Sequence, residues 1–327
     1  MDISKLLDSN LFGLFLQYLK YDEWIELRED PIIKRYMNNH KWCLSNITIS
    51  FRSSYEIERH LAYILINSFG FTHILKLTIN NVYDCHLSQT QHIIKKCKKM
   101  KYLEFSQDGG IRTNYFRTID LPNIKEIKLD GFYLYYPAMP NLNSFKSLKK
   151  VHITNEITYI RSIDGIKELN NLEELYVEKI YNLGVKELDN FTKLKKLGIF
   201  GGSIEEIEGL DKLIKLEELD LSKNMIRKIE GLDKLVKLKK LNLCRNQIEK
   251  IENLENLKQL TSLNLSHNKI NKIENLEHLK QLTLLNLSYT NIVKLENLES
   301  LDNLKEINLT SSIEMIKIGK KRIKLRD

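Results

Sequence analysis

Cysteine, proline and glycine are all scarce in this chain, and each shortage removes a class of structure. Four cysteines occur among 327 residues (Cys43, Cys85, Cys97 and Cys244), and their spacings form no pairs. A disulfide framework is therefore not expected, and a reducing compartment is favoured. Thirteen glycines and four prolines are too few for a succession of tight hairpins or for long flexible linkers. No uninterrupted apolar run approaches the ~20 residues that a membrane span requires. The opening Met1-Asp2-Ile3-Ser4 lacks the basic stretch of a secretory leader, and Asp8 breaks the first apolar segment. The expectation is an intracellular protein, cytoplasmic or nuclear.

Chemistry-bearing patterns are equally sparse. A nucleophile needs a base and a group to orient it, and no such local arrangement is found. No glycine loop is suited to cradling phosphate, since Gly201-Gly202 only replaces a turn residue of one repeat. Cys85-His86, His92 and Cys97 form the one Cys/His cluster. Its spacing fits none of the usual zinc patterns, and His92 falls in a predicted helix between strands. No enzymatic activity, metal or cofactor is expected.

What the chain does have is mixed charge and a regular repeat. Lysine and arginine number 51 against 43 acidic residues, and 42% of the chain is hydrophobic, a balance that argues against disorder. The net charge of +8 is concentrated in Lys95, Lys96, Lys98, Lys99 and Lys101, and in a C-terminal group of Lys317, Lys320, Lys321, Arg322, Lys324 and Arg326. A basic end is most often a solvated one, and the repeats between are close to neutral. A protein is thus the expected partner, ahead of nucleic acid.

Leu194, Leu216, Leu238, Leu260, Leu282 and Leu304 recur every 22 residues. From Leu216 the unit runs through Leu219, Leu221, Asn224, Ile226, Ile229, Leu232 and Leu235, and the following copies keep its frame. Leu219 and Leu221 alternate with polar residues, which predicts a strand with one buried face. Ile226, Ile229, Leu232 and Leu235 then recur every third residue, which predicts a tight return of 3₁₀ character. Looser copies reach upstream through Leu175, Val151, Ile127, Leu103 and Leu77. One such unit cannot bury enough apolar surface to fold alone, so copies must stack and the ends need caps. The unit resembles the 22-residue leucine-rich repeats of the phosphatase-1 regulatory subunit type. The resemblance implies an α/β solenoid with a parallel sheet of about eleven strands on its concave face. It also implies that the amides of Asn224, Asn246 and Asn268 stack as a ladder serving buried backbone groups, with Thr290 and Ser312 filling that position less completely.

The first 45 residues follow a different period. Leu7, Leu11, Leu14, Phe15 and Tyr18 share a helical face, Asp22 starts a second helix with Trp24, Ile25 and Leu27, and Asp30-Pro31 opens a third. The string from Leu7 to Leu19, followed by Tyr21 to Leu27, resembles a divergent F-box, although the Leu-Pro dipeptide that usually opens that family is absent. The resemblance implies that Leu7, Leu11, Phe15, Leu19 and Trp24 contact the adaptor of a cullin-type ubiquitin ligase while the repeats recruit its substrate. A plain helical cap over the first repeat is the alternative, leaving the chain a regulatory scaffold. The expected organisation is a head at 1–45, irregular repeats at 46–171, regular repeats at 172–315 and a basic tail at 316–327.

Binding on a solenoid of this kind is expected along the concave face. One outward column reads Lys128, His152, Tyr176, Gly198, Asp220, Asn242, Asn264, Asn286 and Asn308. Its neighbour reads Lys179, Gly201, Lys223, Arg245, His267 and Tyr289. Interface energy concentrates in aromatic side chains and arginine, so Tyr176, Phe200, Arg245, His267 and Tyr289 are the expected anchors. Asp220, Asn242, Asn264 and Asn286 lie among them, although short polar residues also simply suit an exposed strand and bond to one another.

Overall fold

A computed structural model describes residues 46–50, 75–80, 87–106, 110–111, 115–131, 133–134, 139–154, 159–181, 188–310, 315–318 and 321–326. The F-box-like positions Leu7, Leu11, Phe15, Leu19 and Trp24 lie outside these residues, as do Cys43, Cys85, His86 and Ser312. The chain divides into two compact units, the first comprising Met1–Gly109 with Thr118–Ile124 and the second Gly110–Arg117 with Lys125–Asp327.

In the first unit, β1 (Asn46–Ser50), β2 (Lys76–Asn80) and β3 (Tyr102–Ser106) pair in parallel, with Leu77 opposite Leu103 and Ile79 opposite Phe105. Parallel neighbours need a crossover, and helix α1 (Leu87–Lys96) lies between β2 and β3 in the sequence. Ile93 and Ile94 on α1 are fully buried, as are Cys97, Met100, Leu103 and Phe105 beyond it. Lys95 and Lys96 occupy the last turn of α1, where the helix dipole favours positive charge. His92 lies on this helix, as expected from its position between strands.

The second unit is the repeat array. Its strands are β4 (Gly110–Ile111), β5 (Glu126–Asp130), β6 (Tyr133–Leu134), β7 (Lys150–Ile153), β8 (Glu174–Glu178) and β9 (Lys196–Phe200). They continue as β10 (Glu218–Asp220), β11 (Lys240–Asn242), β12 (Ser262–Asn264), β13 (Leu284–Asn286), β14 (Glu306–Asn308), β15 (Met315–Ile318) and β16 (Lys321–Arg326). From β5 to β14 the repeat strands pair in parallel and in register, Leu219 with Leu241, Leu241 with Leu263 and Leu263 with Leu285. β4 and β6 form a separate parallel pair. The period of the sequence thus becomes the register of the sheet: 22 residues carry the chain from a leucine to the same position on the next rung. This is a leucine-rich-repeat solenoid, and the strands expected at Leu77, Leu103, Ile127, Val151, Leu175, Leu197 and onward are present.

The core follows the same arithmetic. Strand residues alternate between buried and half-buried, and Leu219, Leu241, Leu263 and Leu285 point inward. The return segments are chains of i→i+3 turns, with the Leu213 N–H donating to Leu210 and Leu216 to Leu213, both at 2.9 Å. That is the predicted 3₁₀ character, and it brings Leu210, Leu213 and Leu216 to one buried side. At the far end the backbone of β16 pairs in parallel with β14 and antiparallel with β15. Strands therefore occur within residues 316–327, where the sequence suggests only a basic tail.

Candidate functional site

Each regular repeat leaves its strand by the same device. Lys179, Lys223, Arg245, His267 and Tyr289 all adopt positive φ, between 54° and 57°, as does Gly201 at 68°. The left-handed region costs an L-residue roughly 1–2 kcal/mol, so something must hold the chain there. In three of these rungs it is the asparagine that follows. Asn246 Nδ2 donates to the carbonyls of Leu221 and Leu243, both at 3.0 Å, and its Oδ1 accepts the Ile226 N–H at 3.0 Å. Asn224 and Asn268 repeat the pattern, Asn268 reaching Leu243 and Leu265 at 2.9 Å each. The ladder expected from the resemblance is present and buried. Thr290, with one proton to donate, bonds the Leu287 carbonyl of its own repeat at 2.7 Å.

The outward polar column is tied to this same exit. The Oδ1 atoms of Asp220, Asn242, Asn264 and Asn286 accept the N–H two residues ahead, at 2.9 to 3.2 Å. Asn242 Nδ2 also donates to Asp220 Oδ2 at 3.0 Å. These four side chains of the candidate site therefore shape the strand ends. The large residues differ. His267 and Tyr289 stack with ring centroids 4.3 Å apart at 13°, and Tyr289 is 61% exposed. Arg245 is exposed on the next rung. Lys223 and Arg245 form no ion pair or side-chain hydrogen bond among the described residues.

Tyr176 and Phe200 stand apart from this group, on β8 and β9. Tyr176 lies over Gly198, where an added Cβ would collide with its ring, and meets His152 edge-on at 4.8 Å. Burial, with help from the Glu218 carboxylate, pushes the Tyr176 hydroxyl up to about 12, so it remains a hydrogen-bond donor at neutral pH. His152 has its pKa lowered by burial, and Nε2 lies 3.9 Å from Glu174, beyond hydrogen-bonding reach. The anchors thus form two groups on the open face rather than one continuous patch.

Several features escape the sequence reading. Gly209, Gly231, Asn253, Asn275 and Asn297 form a second left-handed column, in which Asn253, Asn275 and Asn297 each donate to a carbonyl of the preceding repeat at 2.7 Å. Exchange of Gly for Asn at a fixed 22-residue spacing is its signal, because these residues tolerate positive φ best. Along the sheet, Lys150 pairs with Glu174, and Lys196 and Lys240 both reach Glu218. Glu173 sits between Lys149 and Lys195, whose ammonium groups hold its carboxyl at about 2. Tyr159 and Tyr181 make a further half-exposed aromatic pair, with Arg161 lying 5.5 Å from the Tyr181 ring.

Among the described residues the free cysteines are Cys97 and Cys244. Burial pushes the Cys97 thiol up to about 12, which suppresses the thiolate that reactivity requires. Among the described residues no group of His, Cys, Asp and Glu is placed to hold a metal, and no helix is long and apolar enough to cross a membrane.

Residues 236–281 match the family described as leucine rich repeats (2 copies). No curated protein matches the chain. Among solved structures the fold is similar to an internalin, InlF, of Listeria monocytogenes, with a TM-score of 0.64, 16% identity, and coverage of 97% of this chain and 90% of that one. It is also similar to the protein of a TLR13–ssRNA13 complex (TM-score 0.65, 19% identity), where 82% of this chain covers 40% of the other. A third similar structure is an LRR protein of Leptospira interrogans, at a TM-score of 0.55 and 19% identity over 85% of this chain and 80% of that one. At such identities the likeness concerns the fold alone.

Proposed function

We propose that this chain, a leucine-rich-repeat protein, is a non-enzymatic module that binds a protein on the open face of its sheet. The observation that carries this reading is the stack of half-buried His267 on exposed Tyr289, beside the exposed Arg245. Stacked rings lose little freedom on binding, and aromatic and arginine side chains dominate interface energy. The core and the asparagine ladder close without these side chains, so the fold does not require their identities. Capture of protein from a lysate by the full chain and by an Arg245→Ala/Tyr289→Ala variant tests the proposal. The variant should melt like the wild type and lose its bound protein; an unchanged set of captured proteins overturns the reading.

The finer reading makes the chain a substrate-recruiting subunit of a cullin-type ubiquitin ligase, and places it in the cytoplasm or nucleus. Its support is the F-box-like sequence from Leu7 to Trp24. The competing reading is a regulatory scaffold with a helical cap. Charged substitutions at Leu11 and Phe15 in the full chain separate the two. Loss of adaptor with retention of the face-bound protein supports the ligase reading, whereas a chain that never binds adaptor leaves the scaffold.

A further inference from the structure

The left-handed column at the ends of β10 to β13 has a charge pattern unlike the rest of the sheet. From β7 to β11 positive and negative residues alternate from rung to rung as Lys150, Glu174, Lys196, Glu218 and Lys240, with Lys150–Glu174 at 3.0 Å and Lys240–Glu218 at 3.1 Å. At the exits Lys223 is followed by Arg245, one rung of about 4.8 Å away. Ser222, Cys244, Ser266 and Ser288 beside the column are uncharged. Asp220, on the strand that leads into Lys223, already accepts from the Ser222 N–H and from Asn242 Nδ2, and the Glu178 side chain lies against Gly201, one rung before Lys223. Both cations are exposed and neither has an ion-pair partner among the described residues. Two rungs further along lies the stacked pair His267–Tyr289.

We propose, building on the docking reading above, that this column receives an acidic segment of the partner in polyproline II conformation, with a carboxylate bridging Lys223 and Arg245 and an aromatic or apolar side chain three residues on against His267 and Tyr289. The spacing supports the register. The midpoint of the cationic pair and that of the ring pair are two rungs apart, about 9.6 Å. A polyproline II helix rises about 3.1 Å per residue and turns once in three, so positions i and i+3 face the same side about 9.3 Å apart. A flat strand would place i and i+3 on opposite sides. Two unpaired cations suit a carboxylate better than a nucleic-acid backbone, which proteins commonly engage through several phosphate contacts.

Fluorescence anisotropy with the full chain tests this directly. The probes are a labelled peptide with one Glu-Pro-Pro-Phe motif between proline flanks, the same peptide with Gln for Glu, one with Glu and Phe adjacent, one with phosphoserine for Glu, and a single-stranded oligouridylate. The Glu-Pro-Pro-Phe peptide should bind best. Binding should weaken about tenfold or more with Gln for Glu, with Arg245→Ala, with Lys223→Ala, and with adjacent spacing, the loss expected for a hydrogen bond to charge. Equal binding of the Glu and Gln peptides overturns the acidic assignment, and equal binding of the two spacings overturns the register. Tighter binding of the phosphopeptide or of oligouridylate overturns the carboxylate in favour of that ligand. If no peptide binds while protein capture still depends on Arg245 and Tyr289, the ligand class is wrong and the docking face stands. If capture is also independent of them, the docking reading itself fails.

Discussion

The Asn246 amide uses its nitrogen on two carbonyls from different repeats and its oxygen on the Ile226 N–H of a neighbouring one. Three backbone groups meet one side chain that is itself 8% exposed. Asn246→Ala removes these bonds, but the Leu221 carbonyl keeps Asn224 Nδ2 and the Leu243 carbonyl keeps Asn268 Nδ2, so the buried Ile226 N–H is the group left without its acceptor, at about 1–3 kcal/mol. The expected loss is about 2 kcal/mol in urea unfolding, with Asn246→Thr losing about half, since a hydroxyl can still accept one bond and donate one. Thr290 shows the substitution already in use, keeping the bond within its own repeat. This ladder is legible because Asn recurs in an unvarying frame. The roles of Asp220, Asn242, Asn264 and Asn286 are less so: from the sequence they read equally as contacts or as strand-end ties, and only the bonds to Ser222, Cys244, Ser266 and Ser288 display the tie.

At the scale of the element, neighbouring strands communicate through side chains stacked across rungs. His152 on β7 is half-buried against Tyr176 of β8, and the charges facing it are Lys128 of β5, Lys150 of its own strand, Glu174 of β8 and Lys196 of β9. Burial dominates and lowers its pKa, so the folded form keeps it neutral where the unfolded chain would take a proton. Stability from this residue is therefore complete above the ordinary value of 6.5 and declines as pH falls from there towards the lowered folded value. Urea midpoints at about pH 7.5 and 5.5 should differ more for the wild type than for His152→Phe, and equal slopes would remove His152 as the cause. Strand positions are legible from the sequence because a period of 2 inside a period of 22 has few other solutions. The Glu173 clamp between Lys149 and Lys195 is not, because lysine and glutamate in a mixed surface give no sign of which pairs will meet. The second left-handed column was visible in principle, as Gly209 and Gly231 exchanging with Asn253, Asn275 and Asn297, but two residue types sharing one role hide a column from a search for identical letters.

For the molecule as a whole, the repeat array makes stability a nearest-neighbour property. Leu243 is fully buried between the rungs of Leu221 and Leu265. Leu243→Asp places a charge where no partner exists, and the cost must fall on adjoining repeats because none stands without its neighbours. Hydrogen exchange should show protection lost over several repeats on either side of residue 243, while a loss confined to one repeat would contradict stacking as the source of stability. Architecture is thus the best-marked property of this sequence, and the ligand the least, since a face built from short polar ties leaves only a few residues to carry recognition.

The most direct test of the docking face is to measure melting temperature and partner affinity together on two paired variants. Arg245→Ala/Tyr289→Ala alters the open face, and Lys234→Ala/Lys258→Ala alters exposed positions of the return segments. Both pairs should melt within about 2 °C of the wild type, because surface changes away from the core are close to neutral. The face pair should weaken binding of the captured protein about tenfold or more, and the return-segment pair should leave it unchanged. Wild-type affinity in the face pair, or loss of affinity in the return-segment pair, would contradict the account.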